Sequence, residues 1–566
     1  MRLLCLGLLF AALVFPADSP TPAIRLNQLG YLPGAPKIAF VPSADAGPQQ
    51  FTIRDANTGR IVSRGPLSPP VPDADSGDTL RAADFSPIRT PGRYYIEAPG
   101  AGRSWEFEIG PRVYQRAFYL AMRSYYGQRC GTAVDLGPEF PGYTYQACHR
   151  EGAWHPSSGR EGKAPSVKGW HDAGDYGRYV VNSAVTTGTL LWAWELYGKS
   201  IRNISLNIPE SDNKTPDILD EIRWNLEWML SMQDADGGVW HKQTTEKFSG
   251  FVMPHEDRMP SLIIGTGAPT FKSTCATAGF AAVMAAAARV YAPFDRHFST
   301  AALEAAEKAW AWAEQNPSIL FLNPKGVSTG AYGDRDCSDE RLWAAAELWR
   351  TTKTKKYETW FLENWQNFRQ QIAPDRPPAW PATAPLALWA WTLAGGPGSD
   401  AIRPLILDAA RGVAARAARN GYRVSLLPRD YVWGSNSVAA NYAMQLLVAY
   451  RLQPDPVFLH AALDNLHYLL GRNTFSLSFV TRLGANSVRH PHHRPSGADS
   501  NPDPWPGLLA GGPNARRQDP AMKKLPDGLP PAKMYLDEQD SYATNEIAIN
   551  WNAPLVFLLA GAISGR

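Results

Sequence analysis

The stretch Thr215-Pro216-Asp217-Ile218-Leu219-Asp220-Glu221-Ile222-Arg223-Trp224-Asn225-Leu226-Glu227-Trp228-Met229-Leu230 shows in miniature how most of the chain is built. Ile218, Ile222, Leu226 and Met229 or Leu230 trace one face at 3.6-residue spacing, the period of an amphipathic helix. Thr215 supplies an N-cap, and Pro216 a first helical residue whose missing N–H would have had no intrahelical partner. Long Ala-, Leu- and Trp-rich stretches of this texture continue from Pro111 onward and predict twelve helices. They fall near 112–127, 178–197, 216–233, 274–291, 299–315, 338–352, 355–372, 384–395, 400–418, 433–453, 455–471 and 543–562. With no strand-like runs between them, six hairpins closed into a double ring fit best. The fold class is therefore mainly α: an (α/α)6 barrel over 111–566, preceded by a small all-β domain. Periodicity supports the helices, whereas the closure rests on their even number.

Upstream, residues 23–110 break into seven short runs at 24–29, 37–41, 50–55, 60–63, 79–85, 92–98 and 104–109, separated by Gly, Pro and Asp clusters. Seven short strands in so little chain predict an immunoglobulin-like sandwich. It reads as a domain packed beside the barrel, with an independent sugar-binding module as the alternative. Residues 1–22 carry Arg2 and the apolar run Leu3 to Phe15, the pattern of a signal peptide, with cleavage near Ala17 or Ala23 undecided. Export, secreted or periplasmic, is expected. No later run reaches 18 uninterrupted apolar residues, so no membrane anchor is expected.

Hydrophobic residues at 44% and charged residues at 19% describe a globular protein, and a net charge of +3 is too small to argue for nucleic acid. The 20 Trp, 22 Tyr and 21 Phe are compatible with stacking on sugar rings as well as with filling a core. A monomer is expected.

Three inter-helix segments, near 128–177, 234–273 and 472–542, are long enough to be functional loops. The first ends in Lys168-Gly169-Trp170-His171-Asp172-Ala173-Gly174-Asp175-Tyr176-Gly177-Arg178-Tyr179, with two carboxylates three residues apart. Gly174 and Gly177 disfavour a helix here and predict a turn feeding one. The helix macrodipole would then favour ionised carboxylates, suited to a base. A capping Asp with a solvated neighbour is the plainer alternative. The last segment leads into Glu546, among Ile547, Ala548, Ile549 and Trp551. Burial there would raise the carboxyl pKa and a nearby helix start would lower it, and a first-turn helical Glu is the alternative. Glycosidic hydrolysis needs such a set: an acid for the leaving oxygen and, when inverting, a base for water on the opposite sugar face.

The motif at 169–177, together with Pro491-His492-His493-Arg494 and Tyr542 to Asn552 (YATNEIAINWN), resembles glycoside hydrolase family 9, which includes inverting β-1,4-glucanases. Ile24 to Tyr31 (IRLNQLGY) resembles the start of the immunoglobulin-like module of the bacterial endoglucanase D type. Further similar stretches are 233–238, 276–291, 338–348 and 433–441. The resemblance implies Asp175 as general base, Asp172 as its partner in holding water and Glu546 as general acid. It also implies sugar contacts from His492 and Arg494, with Tyr542 close to the acid. For His490 and His493, loop packing is the better reading. The expected function is a secreted endo-β-1,4-glucanase acting on cellulose or a related β-glucan. With no dockerin, linker or cellulose-binding module read after the barrel, soluble or amorphous glucan is the expected substrate. An exo-acting β-glucosidase or exo-β-glucosaminidase of the same family, or a carbohydrate-binding protein without catalysis, are the alternatives. No organic cofactor is expected.

Cys130 and Cys148 suggest a disulfide in an exported protein. With His149 and His171 they also make a closed tetrahedral zinc set, as the resemblance implies, which would pin the loop bearing Asp172 and Asp175. Cys275 and Cys337 read as small helix-packing residues. Asp334, Asp336, Asp339 and Glu340 crowd a helix start, and the resemblance implies calcium there; a solvated acidic cap explains the same residues.

Overall fold

The computed structural model describes residues 19–47 and 49–565; most of the expected signal segment, residues 1–18, lies outside them. Helices run in the order α1 (Gln115–Gly127), α2 (Val180–Ile201), α3 (Asp217–Ser231), α4 (Thr274–Tyr291), α5 (Arg296–Gln315), α6 (Ser338–Thr352) and α7 (Lys355–Asn364). They continue as α8 (Ala384–Leu393), α9 (Ser399–Arg419), α10 (Ser435–Leu452), α11 (Pro456–Leu469), α12 (Arg494–Ala498), α13 (Tyr542–Asn545) and α14 (Ile549–Ser564). Apart from the one-turn α12 and α13, these correspond to the twelve expected stretches, with corrected ends: Pro216, not Thr215, precedes the first residue of α3 and no side chain caps it, and 365–371 continue α7 as a 3-10 helix. The last long helix begins at Ile549, so Glu546 is extended backbone (φ −64°, ψ 157°) and not a first-turn helical residue.

Two rings follow from how the helices bury themselves. Along α4 every residue except Arg289 is buried, and the first fourteen residues of α2 are buried without interruption. A helix apolar on all sides belongs inside. By contrast, α9 buries Ile402, Ile406, Ala409, Ala410, Val413 and Ala417, a single stripe. Helices α2, α4, α6 and α8 pack in succession, and α10 packs on α14, which returns to α2. The other long helices lie outside: α1 on α14, α3 on α2, α5 on α4 and α6, α7 on α6, α9 on α8 and α10, and α11 on α10 and α14. Although α4 is long and apolar enough to cross a membrane, it lies inside the inner ring.

The N-terminal sandwich has one sheet in the order 30–31, 107–109, 92–98, 50–55, 61–66, with 102–103 pairing on 92–98. The first pair is parallel and the others antiparallel. Strands 38–42, 79–84 and 71–72 form the other sheet. Residues 24–29, expected as a strand, instead lead into the domain junction, touching strand 38–42 only at Arg25–Phe40. There Gln28 Nε2 donates to Ser476 O at 2.8 Å, and Asn27 Nδ2 meets His467 Nδ1 at 2.9 Å.

Two of the long loops share a five-stranded sheet, in the order 163–164, 152–154, 261–264, 242–244, 178–179. Its last strand, Arg178–Tyr179, follows directly on the paired Asp motif and leads into α2. The sheet therefore ties that motif to the rest of the rim.

Candidate active site

Asp172 and Asp175 sit in a turn held from several sides. Asp172 N–H donates to Gly177 O at 2.9 Å, and Asp172 O accepts from Ile549 N–H at 2.8 Å, joining the motif to the start of α14. The side chain of Asp172 accepts from Asn182 Nδ2 at Oδ1 and from Tyr332 OH at Oδ2, each at 2.6 Å. Asp175 Oδ2 accepts from Gly177 N–H at 2.9 Å and Tyr179 OH at 3.4 Å, which leaves Oδ1 without a partner among the described residues. Burial and the charge of Asp175 push the Asp172 carboxyl up to about 7. The expectation that a helix macrodipole would hold this carboxylate ionised is thus overturned: α2 begins eight residues later, and desolvation outweighs it.

Glu546 is half-buried in the short link between α13 and α14. Its backbone is clamped: Gly511 N–H donates to Glu546 O at 2.8 Å, and His492 N–H donates to the preceding carbonyl, Asn545 O, at 2.8 Å. Oε2 accepts from Trp433 Nε1 at 3.1 Å. Burial, reinforced by the negative charges of Asp175 and Asp172, pushes its carboxyl up to about 8, against the opposing pull of Arg494. In the contest left open by sequence, burial wins.

All three carboxylates line one cleft of about 950 Å³, which also takes in His492, Arg494 and Tyr542. His492 Nδ1–H donates to Gln539 O at 2.6 Å, and burial holds its pKa below the usual histidine value, leaving a neutral Nε2 able to accept from a hydroxyl. Arg494 spends Nε on Ser249 O and Nη1 on Gly174 O. Gly174 permits this approach, because a Cβ there would lie 2.1 Å from His492 O. His493 packs away from the cleft, with Nε2 3.0 Å from Gln128 Oε1. His490 is exposed, and its N–H donates to Asp537 Oδ1 at 2.9 Å.

Sequence reasoning missed Tyr332 and Asn182 on Asp172, Tyr179 on Asp175, and the aromatic walls Phe248, Trp380, Trp433 and Trp551. Trp433 (37% exposed) and Phe248 (48%) stand open where most aromatic side chains are buried, the disposition of sugar-stacking faces. Tyr542 packs beside Trp433, with ring centres 5.3 Å apart and planes tilted by 39°.

Behind the Asp motif, Cys130 Sγ lies 3.7 Å from His149 Nδ1, and Cys148 Sγ lies 3.7 Å from His171 Nε2. All four donor atoms fall within 4.8 Å of one another. Tetrahedral zinc with Zn–S near 2.3 Å and Zn–N near 2.0 Å would set such S···N pairs roughly 3.6 Å apart, so the set is compatible with the metal. Asp257 Oδ2 backs His149 Nε2 at 3.4 Å, as carboxylates back ligating histidines. Both cysteines are free thiols, against the disulfide alternative. The disulfide lies elsewhere: Cys275 is bonded to Cys337, tying the start of α4 to that of α6, which corrects their reading as mere packing residues.

At the acidic cluster, Asp336 Oδ1 caps Ser338 N–H at 3.0 Å and Asp339 Oδ2 accepts from Thr383 N–H at 2.7 Å. Both Glu340 oxygens and Asp334 Oδ2 are buried without a partner among the described residues, a condition that a hard cation would relieve.

Similarity to known proteins extends along nearly the whole chain. The profile described as glycosyl hydrolase family 9 matches residues 114–559, and that of the cellulase N-terminal Ig-like domain matches 19–103. Endoglucanase D of Acetivibrio thermocellus is 36% identical over 549 residues, covering 96% of this chain and 83% of its own. A xyloglucan-specific endo-beta-1,4-glucanase of Bacteroides ovatus is 37% identical over 586 residues, 98% of this chain and 95% of its own. Among solved structures, a Zn-binding triple mutant of a family 9 endoglucanase superposes with a TM-score of 0.87 at 36% identity, over 94% of this chain and 100% of that one.

Proposed function

The chain belongs to glycosyl hydrolase family 9, among endoglucanases that hydrolyse β-1,4-glucans, and on that premise we propose that it is a secreted, inverting endoglucanase with Glu546 as acid and Asp175 as base. The observation that carries this reading is that one cleft gathers both kinds of group. It is lined by a Glu546 carboxyl that burial holds protonated to about pH 8 and by the Asp172–Asp175 pair, in which Asp175 Oδ1 has no partner among the described residues and is open to water.

In the proposed step, water bound at Asp175, with Asp172 as its second anchor, attacks the anomeric carbon as the bond to the leaving oxygen breaks. Glu546 gives its proton to that oxygen, and Asp175 takes the proton lost by water. The new C–O bond forms on the face opposite the departing sugar, which inverts the anomeric centre. His492 Nε2 accepts from a sugar hydroxyl and Arg494 donates to one, while Trp433, Trp551, Trp380 and Phe248 stack on rings along the chain of a soluble or amorphous β-glucan.

Cys130, Cys148, His149 and His171 would hold a structural zinc that fixes the loop beside Asp172 and activates no water. Asp336, Asp339 and Glu340, with Asp334 beside them, would hold calcium at the head of α6. The Cys275–Cys337 disulfide supports export, because such bonds persist in oxidising compartments.

The test is product analysis with wild type, Asp175→Ala and Glu546→Ala. A rapid fall in viscosity of a soluble cellulose derivative and an α-anomer as first product are expected from wild type, with both variants folded and inactive. Single-sugar release would mark exo action, and a first-formed β-anomer would exclude inversion.

A further inference from the structure

Below the cleft floor lies a buried cation that the mechanism leaves unused. Lys242 has no exposed surface and sits on the strand paired with Arg178–Tyr179, directly opposite Tyr179. Its Nζ donates to Asn323 Oδ1 at 2.7 Å, to Thr329 Oγ1 at 3.1 Å and to Gly330 O at 2.8 Å. Each acceptor lies on the loop that ends in Tyr332. His241, the residue just before the strand, extends the tie: its Nε2–H donates to Ala331 O at 2.8 Å and its ring stacks on Phe321 at 3.8 Å. Tyr332 needs such restraint, because its φ of 43° lies in the left-handed region, where a bulky side chain is strained. The same ammonium lies 5.6 Å from the centre of the Tyr179 ring, which in turn packs on Tyr332 at 4.8 Å.

We propose that Lys242 is a positioning residue, clamping the 323–332 loop so that the Tyr332 hydroxyl stays on Asp172 and the Tyr179 hydroxyl on Asp175. The inference rests on the assignment of these two carboxylates to the water-holding side. Burial favours loss of the Lys242 proton, bringing its pKa down to about 7, and the charge of Asp175 pulls it back. The clamp and the carboxylate it serves therefore support each other.

The test is a double-mutant cycle on a soluble β-1,4-glucan with Lys242→Met, Tyr332→Phe and the pair, alongside a crystal structure of Lys242→Met. If Lys242→Met does not accumulate as folded protein, Asn323→Ala replaces it in every arm. The single change at the clamp is expected to lower kcat ten- to a hundredfold with KM within twofold. Combined with Tyr332→Phe the loss should fall well short of the product of the two single losses, because the Tyr332–Asp172 contact is common to both and only the Tyr179 part of the clamp remains to be lost. The structure should show the Tyr332 hydroxyl out of hydrogen-bonding reach of Asp172. Unchanged kcat, fold-losses that multiply, or Tyr332 still seated on Asp172 would each overturn the proposal. An inactive wild type would instead count against the proposed function, and the structure alone would then decide the clamp.

Discussion

Trp433 Nε1 donates to Glu546 Oε2 at 3.1 Å, so the residue assigned as acid is gripped by a cleft-wall indole that also offers a face to substrate. A donor on a carboxyl oxygen favours the ionised form and so holds the acid's pKa below what burial alone would give. In Trp433→Phe, the fall of kcat/KM above about pH 8 should therefore move to higher pH, with KM raised by the altered platform. The pH profile of kcat/KM reports the free enzyme's groups and checks this directly. An alkaline limb that stays in place would show that the bond does not tune the acid.

The same burial makes Glu546 a cost to the fold. Its carboxyl rises from 4.5 to about 8, so the folded state binds the proton more tightly than the unfolded state does. The stability this proton confers is complete below 4.5 and is lost as pH rises through 8. Glu546→Gln should remove about 10²- to 10⁴-fold in kcat while raising the melting temperature, with the gain larger at pH 9 than at pH 5. Thermal melts at the two pH values would show it, and a gain confined to pH 5 would contradict the burial argument.

What sequence revealed, and what it did not, divides along physical lines. Helix α4 was legible because its small apolar residues persist for a full helical length, and Asp172, Asp175 and Glu546 because each lies in a compact motif. Tyr332 was not: it reaches Asp172 across 160 residues, and nothing local marks a tyrosine as a hydrogen-bond donor to so distant a carboxylate. Trp380, Trp433 and Trp551 share their residue type with fully buried Trp170, Trp228 and Trp343, so only exposure in the cleft separates a cleft-lining ring from core. Cys275 and Cys337 are 62 residues apart, and spacing alone cannot pair them.

Metal analysis tests the Cys130, Cys148, His149 and His171 set. Purified protein should carry about one zinc per chain, and its removal by a chelator should lower the melting temperature by several degrees and reduce kcat, because His171 adjoins Asp172. A calcium-selective chelator should instead act through Asp339 and Glu340, lowering stability with a smaller effect on turnover. Zinc-free protein with Cys130 and Cys148 resistant to alkylation would return that pair to a disulfide.

For the Cys275–Cys337 bond, closing a loop of this length in the unfolded chain is worth roughly 4 kcal/mol by chain entropy. The double change Cys275→Ala with Cys337→Ala should accordingly lower stability by an amount of that order in denaturant unfolding. Unreduced, metal-free protein should alkylate at Cys130 and Cys148 but not at this pair. Alkylation of all four without reductant would show that the bond does not form.

Gly174 gives the sharpest geometric test of how the two motifs meet. Arg494 N–H and Nη1–H both donate to Gly174 O, at 3.1 and 2.7 Å, while the missing side chain leaves room for His492 O. A methyl group at 174 would have to lie 2.1 Å from that oxygen, and the obstacle is backbone, which cannot swing aside as a side chain would. Gly174→Ala should therefore part the turn carrying Asp175 from the segment carrying His492 and Arg494, misplacing water and sugar contacts together. Misplacement on the scale of 1 Å costs about 10²-fold in rate. Gly250→Ala is the matched control, on the loop beside Ser249, whose carbonyl accepts from Arg494, because nothing lies within 4 Å of its added Cβ. A hundredfold loss in kcat/KM for the first, none for the second, and the same helical content in both are expected. Equal activity in the two variants would mean that the close approach of Gly174 to His492 does not set the site.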